Sequence, residues 1–175
     1  MSGQGGVRPR RQAGLSLIEV LVVLVILGVL AGALTLSLGG QAERRLENEA
    51  RRIQALIGLA CERALLTGVD IGWRFEAEGW RFGLLRREGW VPLPASPAEE
   101  LRPRPWEPGM RFSLRRQGLL LDPAADPDQP QLVCLASGEL TPFELELGHE
   151  GSTLRWRLLG RGDGRLELVG PEDPR

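Results

Sequence analysis

The chain contains no lysine and no tyrosine, a single histidine and two cysteines among 175 residues. Every basic side chain is therefore an arginine, which we read as composition bias rather than function. The one histidine, His149, lies in "LGHEGS", a turn-like stretch, and the sequence has no GxSxG, no P-loop and no HExxH. These absences argue against an enzyme. Cys61 and Cys134 lie far apart with no CxxC or Cys/His cluster, which argues against a metal site. A formal net charge of −1 provides no global field for nucleic acid. Nothing points to a cofactor.

What is present is one long apolar run. From Leu15 to Leu38 the only charged side chain is Glu19. As a helix this stretch would be roughly 36 Å long at about 1.5 Å per residue, enough to cross a hydrocarbon core of about 30 Å. A carboxylate at the bilayer centre costs about 2.5–3.5 kcal/mol on insertion scales. Glu19, near the start, would sit at the rim, and it asks for a cationic partner. Arg8, Arg10 and Arg11 precede the run as a basic segment. A cleaved secretory signal, with Ala31-Gly32-Ala33 as its cleavage site, fits poorly. The run exceeds the usual h-region of about 7–15 residues, and such a signal gains nothing from Glu19. A plain signal anchor has no need of Glu19 either.

After Gly39-Gly40, where the helix is expected to soften, the pattern becomes amphipathic. Leu46, Ala50, Ile53, Ile57, Ala60 and Ala64 recur at helical spacing. Glu47 and Arg51 stand in the favourable i,i+4 order. Gly68 suits the left-handed residue that closes a helix. One helix from about Leu15 to Thr67 is expected. Beyond it the period changes to two. Ile71, Trp73 and Phe75 alternate with polar or small residues; so do Trp80, Phe82 and Leu84, then Phe143, Leu145 and Leu147, then Leu154, Trp156 and Leu158. Phe112–Leu114, Leu132–Leu135 and Leu166–Leu168 add further short strands. Seven or eight half-buried antiparallel strands are expected, enough for two small sheets. The fold class is α+β: a long N-terminal helix, half membrane-spanning and half amphipathic, packed against an antiparallel β-rich head.

Two stretches interrupt the alternation. Residues 92–109, "PLPASPAEELRPRPWEPG", form a long proline-rich loop. Residues 122–130, "DPAADPDQP", are acidic; Asp122, Asp126 and Asp128 have calcium-type ligands but no calcium-loop spacing, so a solvated linker is expected. The RGD at Arg161–Asp163 reads as turn chemistry.

"QAG-LSLIE-VLVVLVILGVLAG" closely resembles the type IV pilin and pseudopilin N-terminus, with Leu15 where that superfamily usually has phenylalanine. Residues 49–68, "EARRIQALIGLACERALLTG", and 136–147, "ASGELTPFELEL", resemble the minor pseudopilin H family of type II secretion. The resemblance implies a leader over 1–14, a transmembrane and assembly helix over 15–38, its amphipathic continuation over 39–68 and a periplasmic head over 69–175. It implies cleavage by a prepilin peptidase between Gly14 and Leu15, N-methylation of Leu15, and a subunit-assembly role for Glu19. The cleaved Leu15 amine of one subunit would pair with Glu19 of its neighbour. The implied partners are the major pseudopilin, the other minor pseudopilins, the inner membrane and exoprotein cargo. A minor pilin of a type IV pilus or DNA-uptake machine is the rival within the superfamily. The tail "GPEDPR" is a poor match to DNA binding through basic residues. A signal-anchored periplasmic binding protein is the rival outside it.

A periplasmic head permits disulfides. Cys61 lies on the amphipathic helix and Cys134 in the apolar strand "QLVCL". The preferred reading is two buried thiols acting as small hydrophobes, with a Cys61–Cys134 bridge as the alternative.

Overall fold

The computed structural model describes residues 17–96 and 98–173, with side chains described over 17–29 and from Gly40 onward. The chain divides into two compact units between Leu38 and Gly39. A single helix, α1 (Leu17–Thr67), supplies the described part of the first and opens the second. The helix includes Gly39 and Gly40, in keeping with the single helix expected to run to Thr67. Glycine lowers helix propensity by about 1 kcal/mol; that does not end a helix whose neighbours on both sides favour it. Termination comes at Gly68, with φ of 67° and its amide bonded to the Ala64 carbonyl at 3.0 Å. A side chain there would meet the left-handed penalty.

In the second unit ten strands follow: β1 (Ile71–Phe75), β2 (Gly79–Arg86), β3 (Gly89–Pro92), β4 (Arg104–Pro105), β5 (Met110–Arg116), β6 (Leu119–Leu120), β7 (Leu132–Cys134), β8 (Phe143–His149), β9 (Arg155–Gly160) and β10 (Leu166–Glu172). They form two antiparallel sheets. The first has the order β3-β2-β1-β7, with β4 also pairing with β2; the second has the order β10-β9-β8-β5-β6. β3, β4 and β6 are the strands missing from the sequence reading. Each has two to four residues, too few for a period to register.

The core lies between α1 and the two sheets. Leu46, Ala50, Ile53, Ile57, Ala60 and Ala64 form the buried stripe of the helix. Trp73, Phe75 and Phe82 meet it from the first sheet, and Leu145, Leu147 and Leu158 belong to the same apolar cluster from the second. Pairing Trp73 with Phe82 and Phe75 with Trp80 puts four aromatic rings on one face. Phe143 meets Trp73 edge-on at 6.0 Å between centroids, a geometry that adds to simple burial.

The proline-rich stretch is part of this core. Leu101 is fully buried. Trp106 stacks on Phe112 at 4.6 Å and on Phe75 at 5.8 Å, and its indole N–H donates to the Glu76 carbonyl at 2.8 Å. Arg63 of α1 pairs with Glu99 at 2.7 Å.

The preferred reading of the cysteines is corrected. Cys61 and Cys134 are joined in a disulfide, with Cα atoms 5.0 Å apart. β7 pairs with β1 through Ile71↔Cys134, while small residues at Ala60 and Ala64 let the helix pack closely. The two cysteines are thereby brought face to face, within the range of about 4.4–6.8 Å that a bridge requires.

Candidate assembly site

The sequence places the site at the start of α1. Glu19 lies in its first turn, and no basic residue lies in its last. Leu17, Ile18, Val20, Leu21, Val22 and Val23 around it are all exposed. One carboxylate thus stands in an uncovered apolar surface. Gly14 and Leu15, the expected cleavage and methylation positions, lie outside the described residues. Among the described residues no helix is long and apolar enough to cross a membrane. The expected span, 15–38, includes Leu15, Ser16 and the side chains of 30–38, which also lie outside that description.

Among the described residues no cluster of three or more His, Cys, Asp or Glu is arranged to hold a metal. His149 ends β8 with Nε2 3.0 Å from the Pro108 carbonyl oxygen, a position that fastens the β8 end to the loop before β5. The RGD sits in the β9–β10 turn, closed by the Gly164 amide donating to the Arg161 carbonyl at 3.0 Å.

Two buried charged groups, one on α1 and one on β1, escaped sequence reading. Glu49 is buried on α1, accepts from the Trp80 indole at 3.4 Å and pairs with Arg52 at 3.1 Å. Burial pushes its carboxyl above the usual range; Arg52 and the Trp80 hydrogen bond pull the other way. Its position three residues after Leu46, inside the apolar stripe, was the available signal. Arg74 is also buried. Its guanidinium donates to the carbonyls of Pro123, Ala125, Asp126 and Gln129. The 122–130 stretch is largely exposed, as expected of a solvated linker, and its carbonyls also wrap it on Arg74. Glu99, in contrast to Glu49, has its carboxyl held below the usual range, chiefly by the hydrogen bond from Arg63.

Residues 9–35 match the family model described as the prokaryotic N-terminal methylation motif. Residues 49–164 match the model for type II transport protein GspH. The chain belongs to the GspH family. Its GspH relatives include type II secretion system protein H of Pseudomonas aeruginosa, 35% identical over 91% of this chain and 96% of that protein. The Aeromonas hydrophila protein of the same name is 30% identical over 95% of this chain and 98% of its own length. Among solved structures, Escherichia coli GspH is 31% identical, with a TM-score of 0.59 over 77% of this chain and 94% of that one. The Vibrio cholerae minor pseudopilin EpsH, at 22% identity, shares the fold with a TM-score of 0.62 over 74% of this chain and 98% of that one. The N-terminal helix packed with two antiparallel sheets is thus the GspH architecture, and the α+β fold class read from the sequence agrees with it.

Proposed function

We propose that this GspH-family chain is a minor pseudopilin, a non-catalytic structural subunit of the type II secretion pseudopilus. It sits near the tip of that fibre and supports export of folded exoproteins across the outer membrane. The observation that carries the reading is Glu19, the lone charge in an apolar stretch whose described residues around it are exposed, within residues that match the N-terminal methylation motif. A prepilin peptidase cuts between Gly14 and Leu15 on the cytoplasmic side and methylates the new Leu15 amine. Residues 15–38 anchor the chain in the inner membrane, and the head lies in the periplasm. In the fibre Glu19 pairs with the Leu15 amine of the next subunit. Each charge relieves the other's desolvation in a low-dielectric surrounding, and the pair fixes axial register. The other subunits contacted are the major pseudopilin and the remaining minor pseudopilins; cargo meets the assembled fibre.

Mass spectrometry of the membrane-extracted protein tests this reading together with complementation of a secretion-deficient strain. The expected result is a mature chain that begins with methylated Leu15 and restores export. A chain beginning after Ala33, or an uncut chain that still restores export, would overturn it.

A further inference from the structure

We propose that Cys61 and Cys134 form an oxidation-dependent latch on the head, in which Cys61 is the sulfur that exchanges with an outside disulfide and Cys134 is the sulfur that closes the bridge. Three observations carry this. First, the bridge joins different layers, α1 and β7, across a sequence separation of 73 residues. β1 to β6 all lie within the closed loop. Second, the strand it fastens is short: β7 has three residues, paired with β1 on one side and met on the other by the isolated Cys134↔Leu140 bridge. Third, the two sulfurs differ in access: Cys61 is half-buried on the flank of α1, whereas Cys134 is fully buried. The chain has no other cysteine, so no competing pairing exists.

The chemistry follows from access. An outside disulfide reaches the Cys61 thiolate first, which attacks it and expels one thiolate. The buried Cys134 thiolate then attacks the Cys61 sulfur of the mixed disulfide and expels the second. Two electrons leave the protein sulfurs and reduce the oxidant disulfide to two thiols, which take up the two protons released. In the cell the oxidant belongs to the protein-disulfide class. Where this happens, the periplasm, rests on the pseudopilin reading; the order of attack and the latch itself do not. Closing so long a loop restricts the unfolded chain, so the reduced head opens more readily around β7.

The test uses full-length protein in detergent micelles. Glutathione disulfide is added to the reduced single variants, and mixed-disulfide formation is followed by mass spectrometry. Under native conditions Cys134→Ser should capture glutathione on Cys61, while Cys61→Ser should react at least about tenfold more slowly, because its remaining thiol is buried. In denaturant the two should react alike, which separates access from intrinsic reactivity. Equal native rates, or faster reaction of Cys61→Ser, would overturn the order. In the second measurement, reduced and oxidised wild-type protein are treated with protease. Cleavage within residues 93–134 should be at least about tenfold faster after reduction. Equal cleavage would overturn the latch.

Discussion

The indole N–H of Trp80 reaches across 3.4 Å to Oε1 of Glu49, linking the first sheet to the buried stripe of α1. The carboxylate also meets Arg52 at 3.1 Å, yet burial dominates and raises its pKa. A raised carboxyl pKa in the folded state gives stability that is fully present below the unfolded value of about 4.3 and is lost as pH rises through the folded value. Glu49→Gln removes that loss while its side-chain oxygen still accepts from Trp80. The melting temperature of the variant should equal or exceed that of wild type at pH 7, with a flatter dependence above the usual carboxyl range. Thermal melts between pH 4 and 8 check this, and a clear loss of stability at pH 7 would show that the ionised form is needed.

Glu99 behaves in the opposite sense. Its pKa is lowered, first by the hydrogen bond from Arg63, so its stabilisation is present above the unfolded value and is lost as pH falls through the folded one. Both partners are partly exposed, so the effect is screened and stays below about 1 kcal/mol. Glu99→Gln should lower the amide protection factor near Leu101 at pH 7 to about the value wild type shows once the carboxyl is protonated. No change near Leu101 would mean that its burial alone holds the loop.

Much of this fold is legible in sequence because its signals repeat. The stripe from Leu46 to Ala64 recurs over five turns, and Gly68 marks the stop. The strand alternations that begin at Ile71 and Phe143 give the core faces of both sheets. What escaped depends on non-local pairing. β4 exists because Arg104 and Pro105 come to lie beside Trp80 and Gly79, which two residues cannot announce. Arg74 occupies the polar place of its alternation and becomes buried only when the 122–130 loop covers it. The disulfide likewise depends on β7 choosing β1 as its neighbour. Glu19 was legible for the opposite reason: a single charge in an apolar run needs no tertiary context to stand out.

The β8–β9 pair supplies a packing test. Phe143 lies opposite Gly160, and a Cβ at 160 would collide with the Phe143 ring. The ring is buried against Trp73 and cannot swing away without opening the core. Gly160→Ala should therefore cost about 1–3 kcal/mol, the usual range for overpacking, read from urea midpoints. Gly162→Ala, whose Cβ would meet only Pro142 at 3.7 Å, is the control and should change stability by less than about 0.5 kcal/mol. Equal midpoints for the two variants would contradict the close approach.

Arg74 makes a prediction about order in the 122–130 loop. Met keeps the apolar stem and removes the guanidinium that four carbonyls share. Water can replace some of these bonds because the loop is at the surface, so the global cost should be about 1–3 kcal/mol. The local effect should be larger: amide protection from Ala124 to Gln129 should fall more than protection in β8. Uniform loss across both regions would mean that Arg74 stabilises the head as a whole and has no special hold on the loop.

Glu19 provides the prediction that bears most directly on assembly. Replacing it with alanine removes a charge that opposes membrane insertion by about 2.5–3.5 kcal/mol at the bilayer centre and by less at the rim. Insertion should therefore be kept or improved, and cleavage between Gly14 and Leu15 should continue, since the cut bond is untouched. The variant nevertheless lacks the carboxylate proposed to receive the neighbour's Leu15 amine. Glutamine, close in size but uncharged, should behave like alanine if the charge is what matters. Both variants should accumulate as processed membrane protein, crosslink poorly to the major pseudopilin and export at least about tenfold less cargo, the factor that 1.4 kcal/mol of lost pairing represents. Quantitative immunoblotting of membrane and medium fractions, with crosslinking in intact cells, gives all three readouts. Wild-type export from Glu19→Gln would remove the charge pair from the mechanism, whereas failure of cleavage would move the role of Glu19 from assembly to processing.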